Sequence, residues 1–353
     1  MSEADAFDQL ARDFFSVWFR FHPEAALQAG LGESGALLPT QSDDDQAALA
    51  GWLENLVVAL EEFDYASLDP ARRVDLELMF ALARVEHREL LERDWRHRDP
   101  LRFLPLSLIH RLTLLHPDHM RDTLSGLFDA VPAHLRLAIT QLKPMAALVP
   151  QVLVQAAIEA ADDGRRYLRS LTRSRWLRHH CHGAGELETQ AEAAAGALRR
   201  YAAALGSEIL PLATRRAGCG GAHLRFLLRH HHLLDIDPIA CTPLLDDLAE
   251  QGENQALSRG SAFSDPRPQP RAPLGDLLRA ECDSIAARLK RELGLRLPPS
   301  PLRIARGPVC PRPGEERVDY VPDLINGEGV IYVPDRGNTI DAARGVGVDA
   351  IET

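Results

Sequence analysis

The chain has 353 residues, 45% hydrophobic and 26% charged, enough to bury a substantial core in one large domain or two. A formal net charge of -11 argues against a general nucleic-acid binder, which needs a basic stripe to neutralise phosphates. Positive charge is nearly all arginine, with Lys143 and Lys290 the only lysines, so few candidates exist for Schiff-base chemistry.

The opening "MSEADAFDQL" lacks the basic and apolar regions of a secretion signal. No apolar run reaches the ~18 residues of a membrane helix; "MAALVPQVLVQAAIEAA" is too short and holds Pro150. Cys181, Cys219, Cys241, Cys282 and Cys310 are odd in number and follow no framework spacing. Free thiols in a cytoplasmic protein, with no membrane partner, are therefore expected.

Phe7, Leu10, Phe14, Trp18 and Phe21 recur at three- and four-residue steps and predict a helix ending near His22, since Pro23 disfavours helical geometry before it. "PEAALQAG" predicts a short helix closing on Gly30. "SDDD" predicts a helix start, because Ser42 or Asp43 can cap free N–H groups; its stripe is Leu49, Leu53, Leu56, Leu60 and Phe63. Asp69-Pro70 opens the next helix, expected to run to about Trp95. Further helices are expected from Pro117, Pro132 and Pro150, then over "ELETQAEAAAGALRRYAAALGSEIL", "GAHLRFLLRHHHLL" and "PLGDLLRAECDSIAARLKREL".

Between the last two lies "EQGENQALSRGSAFSDPRPQPRAP", about 250–273, which reads as a mobile loop. After Gly294 the texture changes to short β-prone runs, with "GVIYV" the best strand and "LRIAR" a weaker partner. The predicted fold is mainly α: a multi-helix domain over 1–294, followed by a small C-terminal β element over 295–353.

Histidine clusters at "RHHCHG" and "RHHHLL", with Cys219 and Cys241, hold the residue types of a zinc site but in poor spacing. Adjacent residues on a helix point about 100° apart. His179 and His182, three apart, could share a face as metal ligands, yet at a helix end beside Gly183 the commoner role is pairing with free carbonyls. The acid pairs Glu61-Glu62, Asp162-Asp163, Asp246-Asp247 and Glu315-Glu316 read as solvated helix faces. No P-loop, dinucleotide fingerprint or G-x-S-x-G elbow occurs, and no histidine is followed by glutamate, so H-E-x-x-H is absent.

The order of several motifs resembles a bacterial group, the domain of unknown function 885 family. "FFSVWFRFHPEAALQAGLG", "LENLVVALEEFDYASLDPARRVDLELM", "VPQVLVQAAIEAADDGRRYLRSL", "AEAAAGALRRYAAALGSEILPLA" and "LRFLLRHHHLLDIDP" are similar to successive family segments over most of the chain. Members of that family resemble zinc metallopeptidases, in which a strand leads to a helix bearing an HE-x-PGHH motif. "GEGVIYVPD" is similar to that strand, which forms one wall of the substrate cleft. The terminal "AIET" falls where the family's His-Glu-Thr begins.

The resemblance then implies that Ile351, or the gap after it, stands in place of the first zinc histidine and that Glu352 is at most a remnant of the general base. It implies zinc in complete members, but no metal, cofactor or catalytic residue in this chain, an incomplete zincin-like architecture. The expected function is that of an incomplete or non-catalytic relative of zinc metallopeptidases. Tyr320, Val330, Ile331 and Tyr332 would contact peptide, and "GVIYV" would serve as an edge strand with free backbone donors and acceptors. The alternatives are a helical scaffold whose C-terminal face needs a second protein chain, a full peptidase if a missing C-terminal half is supplied, and a metal store using the His/Cys clusters.

Overall fold

The computed structural model describes residues 2–29, 38–115, 120–181, 185–262, 274–294, 302–306, 319–322 and 329–333. Helix α1 (Glu3–Phe21) starts on a reciprocal cap, in which the Ser2 hydroxyl accepts the Asp5 N–H at 3.2 Å and the Asp5 carboxylate accepts the Ser2 N–H at 3.1 Å. It ends where Pro23 requires, and α2 (Pro23–Gln28) follows at once; Gly30 lies outside the described residues. Ser42 caps α3 (Asp43–Glu61), and Asp69 caps α4 (Pro70–Glu92) with proline in its first turn. α4 stops short of Trp95, which instead opens a 3-10 turn, Trp95–His97, capped by Asp94.

Helices α1, α3 and α4 form one core, whereas Leu27 of α2 joins a second. Phe7 and Phe14 of α1, Leu49, Leu53, Leu56 and Leu60 of α3, and Leu76, Met79 and Ala83 of α4 are all buried together. The predicted stripes of α1 and α3 are its interior faces, and burying each leucine stabilises it by about 1.5–3 kcal/mol.

A second core is built from α5 (Leu106–Leu115), α6 (Met120–Leu142), α7 (Gln151–Arg173), the short α8 (Arg175–His180) and α9 (Leu187–Ala204). Pro132 does not start a helix, as its position had suggested; it sits inside α6. Proline in a helix interior costs about 3 kcal/mol. Leu124, Leu127, Phe128, Val131, Leu135, Ala138 and Leu142 bury the face of α6 around it, and that burial outweighs the cost. Pro117 lies outside the described residues. α9 runs on as a π turn, Leu205–Ile209, and the chain returns to α7 where the Gln151 N–H donates to the Thr214 carbonyl at 2.7 Å.

α10 (Gly221–His230) lies against α4: His223 pairs with Glu89 at 2.7 Å, and the Arg88 guanidinium sits 4.2 Å from the Phe226 ring centre. α11 (Thr242–Ala262) corrects the loop expected at about 250–273, since residues up to Ala262 are helical; 263–273 lie outside the described residues. α12 (Leu274–Leu293) follows. The protein is mainly α.

Three strands come last: β1 (Leu302–Arg306), β2 (Asp319–Pro322) and β3 (Gly329–Val333). Their spatial order is β1-β3-β2, with β1 parallel and β2 antiparallel to β3. The register pairs Ile304 with Ile331 on one side of β3 and Tyr320 with Ile331 on the other.

Candidate functional site

The sheet meets the helical body through a small apolar cluster of Leu114 from α5, Val321 from β2 and Tyr332 from β3, with Ala305 and Val330 packed against it. The Tyr332 ring is buried, and its hydroxyl donates to the Leu114 carbonyl at 2.8 Å. Burial pushes the phenol's pKa upward, so it stays a neutral donor.

Two expectations about this region need correcting. "GVIYV" is the central strand, hydrogen-bonded on both sides, because the intervening β2 occupies the side expected to be free. Among the described residues, the strands paired on one side only are β1 and β2. Tyr332, offered as a peptide contact, is instead the post that seats the sheet on α5. Val330 and Ile331 are half-buried in β3, and Tyr320 holds its register position in β2 opposite Ile331.

Of the candidate ligand pair His179 and His182, only His179 lies among the described residues. His179 is exposed near the end of α8, and His182 and Glu352 lie outside the described residues. Among the described residues no three His, Cys, Asp or Glu side chains cluster to hold a metal ion. The donor set for the zinc that the family resemblance implies is thus not present among them.

The structure adds a cavity of about 490 Å³ where the two helical cores meet, lined by the end of α1, the start of α2, the Trp95 turn, residues 101–105, the first turn of α5 and His134 of α6. Its size falls in the range of small-molecule sites, roughly 300–1,000 Å³. Phe103 and Leu108 form a buried floor, and Trp95 and Phe21 are half-buried walls.

The polar groups of this cavity divide by whether they are already engaged. His22 pairs through Nε2 with the Glu86 carboxylate at 2.5 Å, and the second Glu86 oxygen accepts the Trp18 indole N–H at 2.8 Å. The Trp18 and His22 rings stack at 4.2 Å. His134 accepts from the Gln41 amide at Nδ1 (2.7 Å) and donates from Nε2 to the Phe103 carbonyl at 3.2 Å. That pattern needs a neutral imidazole, and desolvation holds its pKa down to about 4. Arg102 sits over the Trp95 ring, 4.9 Å from its centre, and Glu24 and Ser107 complete the polar lining.

Sequence reasoning missed this cavity because its walls come from three separated stretches, residues 21–25, 38–39 and 95–108, with His134 behind them. The local signal was the irregular run "DWRHRDPLRFLP": two Asp-capped 3-10 turns, Trp95–His97 and Pro100–Phe103, that no regular periodicity marks.

No curated protein matches the sequence. A solved structure of a protein of unknown function from Shewanella oneidensis, provisionally classed as a lipoprotein, has a similar fold, with a TM-score of 0.61 at 13% identity. The match covers 96% of this chain and 66% of that one, so the chain spans just under two thirds of its length. The family described as "Bacterial protein of unknown function (DUF885)" matches over residues 23–342, and the chain belongs to that family.

Proposed function

We propose that this chain is a non-catalytic relative of zinc metallopeptidases whose role is to hold an extended peptide against its C-terminal sheet. The observation that carries the reading is the pairing of β1 on one side only, among the described residues, in a sheet fixed to the helical body by Tyr332. An outer strand presents backbone donors and acceptors to which a peptide can add as a further strand. β1 suits this better than β2. β2 has four residues and ends on Pro322, which lacks an N–H, whereas β1 has five residues and no proline. The exposed Arg303 on β1 favours a peptide with an acidic residue at the facing position.

The absence of H-E-x-x-H from the sequence supports the non-catalytic half of the proposal. A cytoplasmic setting is part of the same reading. It is supported by Cys219, Cys241 and Cys282 being free thiols, and no helix among the described residues is long and apolar enough to cross a membrane. The Shewanella likeness weighs on the other side, through that protein's own lipoprotein class.

Carboxymethylated casein, a permanently extended and acidic chain, is the probe. Hydrogen exchange with and without it should show increased protection of the backbone amides in 302–306. Binding that leaves those amides unchanged, no binding at all, or zinc-dependent cleavage of the casein would each overturn the proposal.

A second reading, a helical scaffold that needs a protein partner, is favoured by the exposure of Ile239 just before α11 and of Leu244, Leu245 and Leu248 in its first turns. Sedimentation of the isolated chain as a cooperative monomer with no tendency to associate would count against it.

A further inference from the structure

We propose that the cavity between α1–α2 and α5 binds a small apolar zwitterion, an α-amino acid with an aromatic or branched side chain, through Arg102 and Glu24. Two of the lining's polar side chains are already in use. The ring nitrogens of His134 are engaged by Gln41 and the Phe103 carbonyl, and His22 is paired with Glu86. Arg102 and Glu24 differ. Among the described residues neither has a side-chain hydrogen bond or an ion pair. The cavity therefore presents one cation and one anion that are in no direct ion pair, above an apolar floor, with Asp99 as a more distant electrostatic neighbour of Arg102.

Charge bookkeeping selects the ligand class. A simple carboxylate would satisfy Arg102 but bring a second negative charge into a space that already holds Glu24. A simple amine would do the converse. A ligand carrying both charged groups on one carbon, with an apolar group to enter the floor, meets both side chains and brings no net charge into the cavity. The other nearby carboxylate, Asp99, accepts the Leu101 N–H at 3.0 Å; burial raises its pKa, and the Leu101 N–H and the Arg102 charge act against that rise. The exposed Ser107 hydroxyl can accept from or donate to either end. The Trp95 ring holds the Arg102 guanidinium in place, so less side-chain entropy is lost when a carboxylate docks.

Arg102 is exposed and Glu24 half-buried, so each contact is weaker than a buried ion pair. Removing either charge should weaken binding by about five- to tenfold, equivalent to roughly 1–1.4 kcal/mol.

The test uses isothermal titration of the full chain with L-phenylalanine, N-acetyl-L-phenylalanine and L-phenylalaninamide. Free phenylalanine should bind saturably, and each capped form should bind at least about fivefold more weakly. Glu24→Gln should abolish the discrimination against the N-acetyl form alone, and Arg102→Gln the discrimination against the amide alone. A purely structural role for either side chain would move neither ratio selectively. Failure of free phenylalanine and of L-leucine to bind at millimolar concentration would overturn the proposal, as would equal binding of the three forms. If Arg102→Gln fails to fold, the capped ligands on the unaltered chain and on Glu24→Gln still decide the matter.

Discussion

The Tyr332 hydroxyl and the Leu114 carbonyl, far apart in sequence, meet at 2.8 Å and join the C-terminal sheet to the helical body. Both groups are buried, so the bond replaces water contacts that neither can recover in the folded state. Tyr332→Phe keeps the ring and removes the donor. The expected loss is about 1–2 kcal/mol, most of it the cost of leaving the carbonyl without a partner. Hydrogen exchange should show the loss locally, as faster exchange across β1–β3 with the helical core unchanged. Unaltered exchange in the sheet would show that apolar contact with Leu114 alone seats it.

Arg96 supplies a second prediction, at the start of the irregular run. Its side chain is 5% exposed and reaches Asp94 at 2.6 Å, Asp43 at 2.7 Å and the Gln41 carbonyl at 2.9 Å. The two carboxylates differ in setting: Asp94 is 18% exposed and Asp43 82%. Asp43→Asn should therefore change stability by less than about 1 kcal/mol, because solvent screens an exposed partner. Asp94→Asn should cost several-fold more. Arg96→Met, which leaves Asp94 and the Gln41 carbonyl without their cation, should cost about 3–5 kcal/mol in chemical denaturation. Equal effects from the two aspartates would refute this ordering.

These two sites show what the sequence could and could not reveal. Helix starts were legible where a cap and a proline coincide, as at Asp69-Pro70, because the signal lies within a few residues. The apolar stripes of α1 and α3 were legible for the same reason: a 3.6-residue period has to face some core. The sheet was half legible. "GVIYV" and "LRIAR" form strands as expected, but "DYVP" offers only Tyr320 and Val321 as β-formers, too short a run to mark the strand that pairs with β3. That one missed strand turned an expected edge into a centre. Pro132 misled in the other direction, since proline usually marks a first turn and here long-range burial of α6 overrides it. The cavity was least legible of all, being a product of how two cores abut.

Gly164 of α7 approaches Leu106 of α5 so closely that a Cβ at that position would lie 2.6 Å from both leucine methyls. Alanine in a helix interior is ordinarily favoured over glycine by up to about 1 kcal/mol. Here Leu106, itself buried, would have to leave its position, and overpacking costs about 1–3 kcal/mol. Gly164→Ala should be destabilising on balance by about 1 kcal/mol. In a Leu106→Ala background the same change should become neutral or stabilising, because the added methyl enters vacated space. Additive effects in this double-mutant cycle would contradict the contact.

His134 makes the protein's stability depend on pH in a specific window. Its pKa is about 4 in the folded chain, against about 6.5 when unfolded, because burial opposes the charge and Nδ1 is occupied as an acceptor. The unfolded chain therefore binds more protons between those values, and stability rises with pH across that interval. The contribution is fully present above about pH 6.5 and is lost as the pH falls towards 4, amounting to roughly 2–3 kcal/mol at the acid end. Partly buried carboxylates such as Asp94, whose pKa is lowered, also weaken the fold in acid, so the raw slope does not isolate the histidine. The difference between the unaltered chain and His134→Gln does. His134→Gln should cost stability at pH 7 yet lose less between pH 6.5 and 4.5, so that the two denaturation midpoints converge. Parallel pH profiles would mean that His134 does not titrate in this range, and that the neutral imidazole between Gln41 and Phe103 is not what the acid destroys.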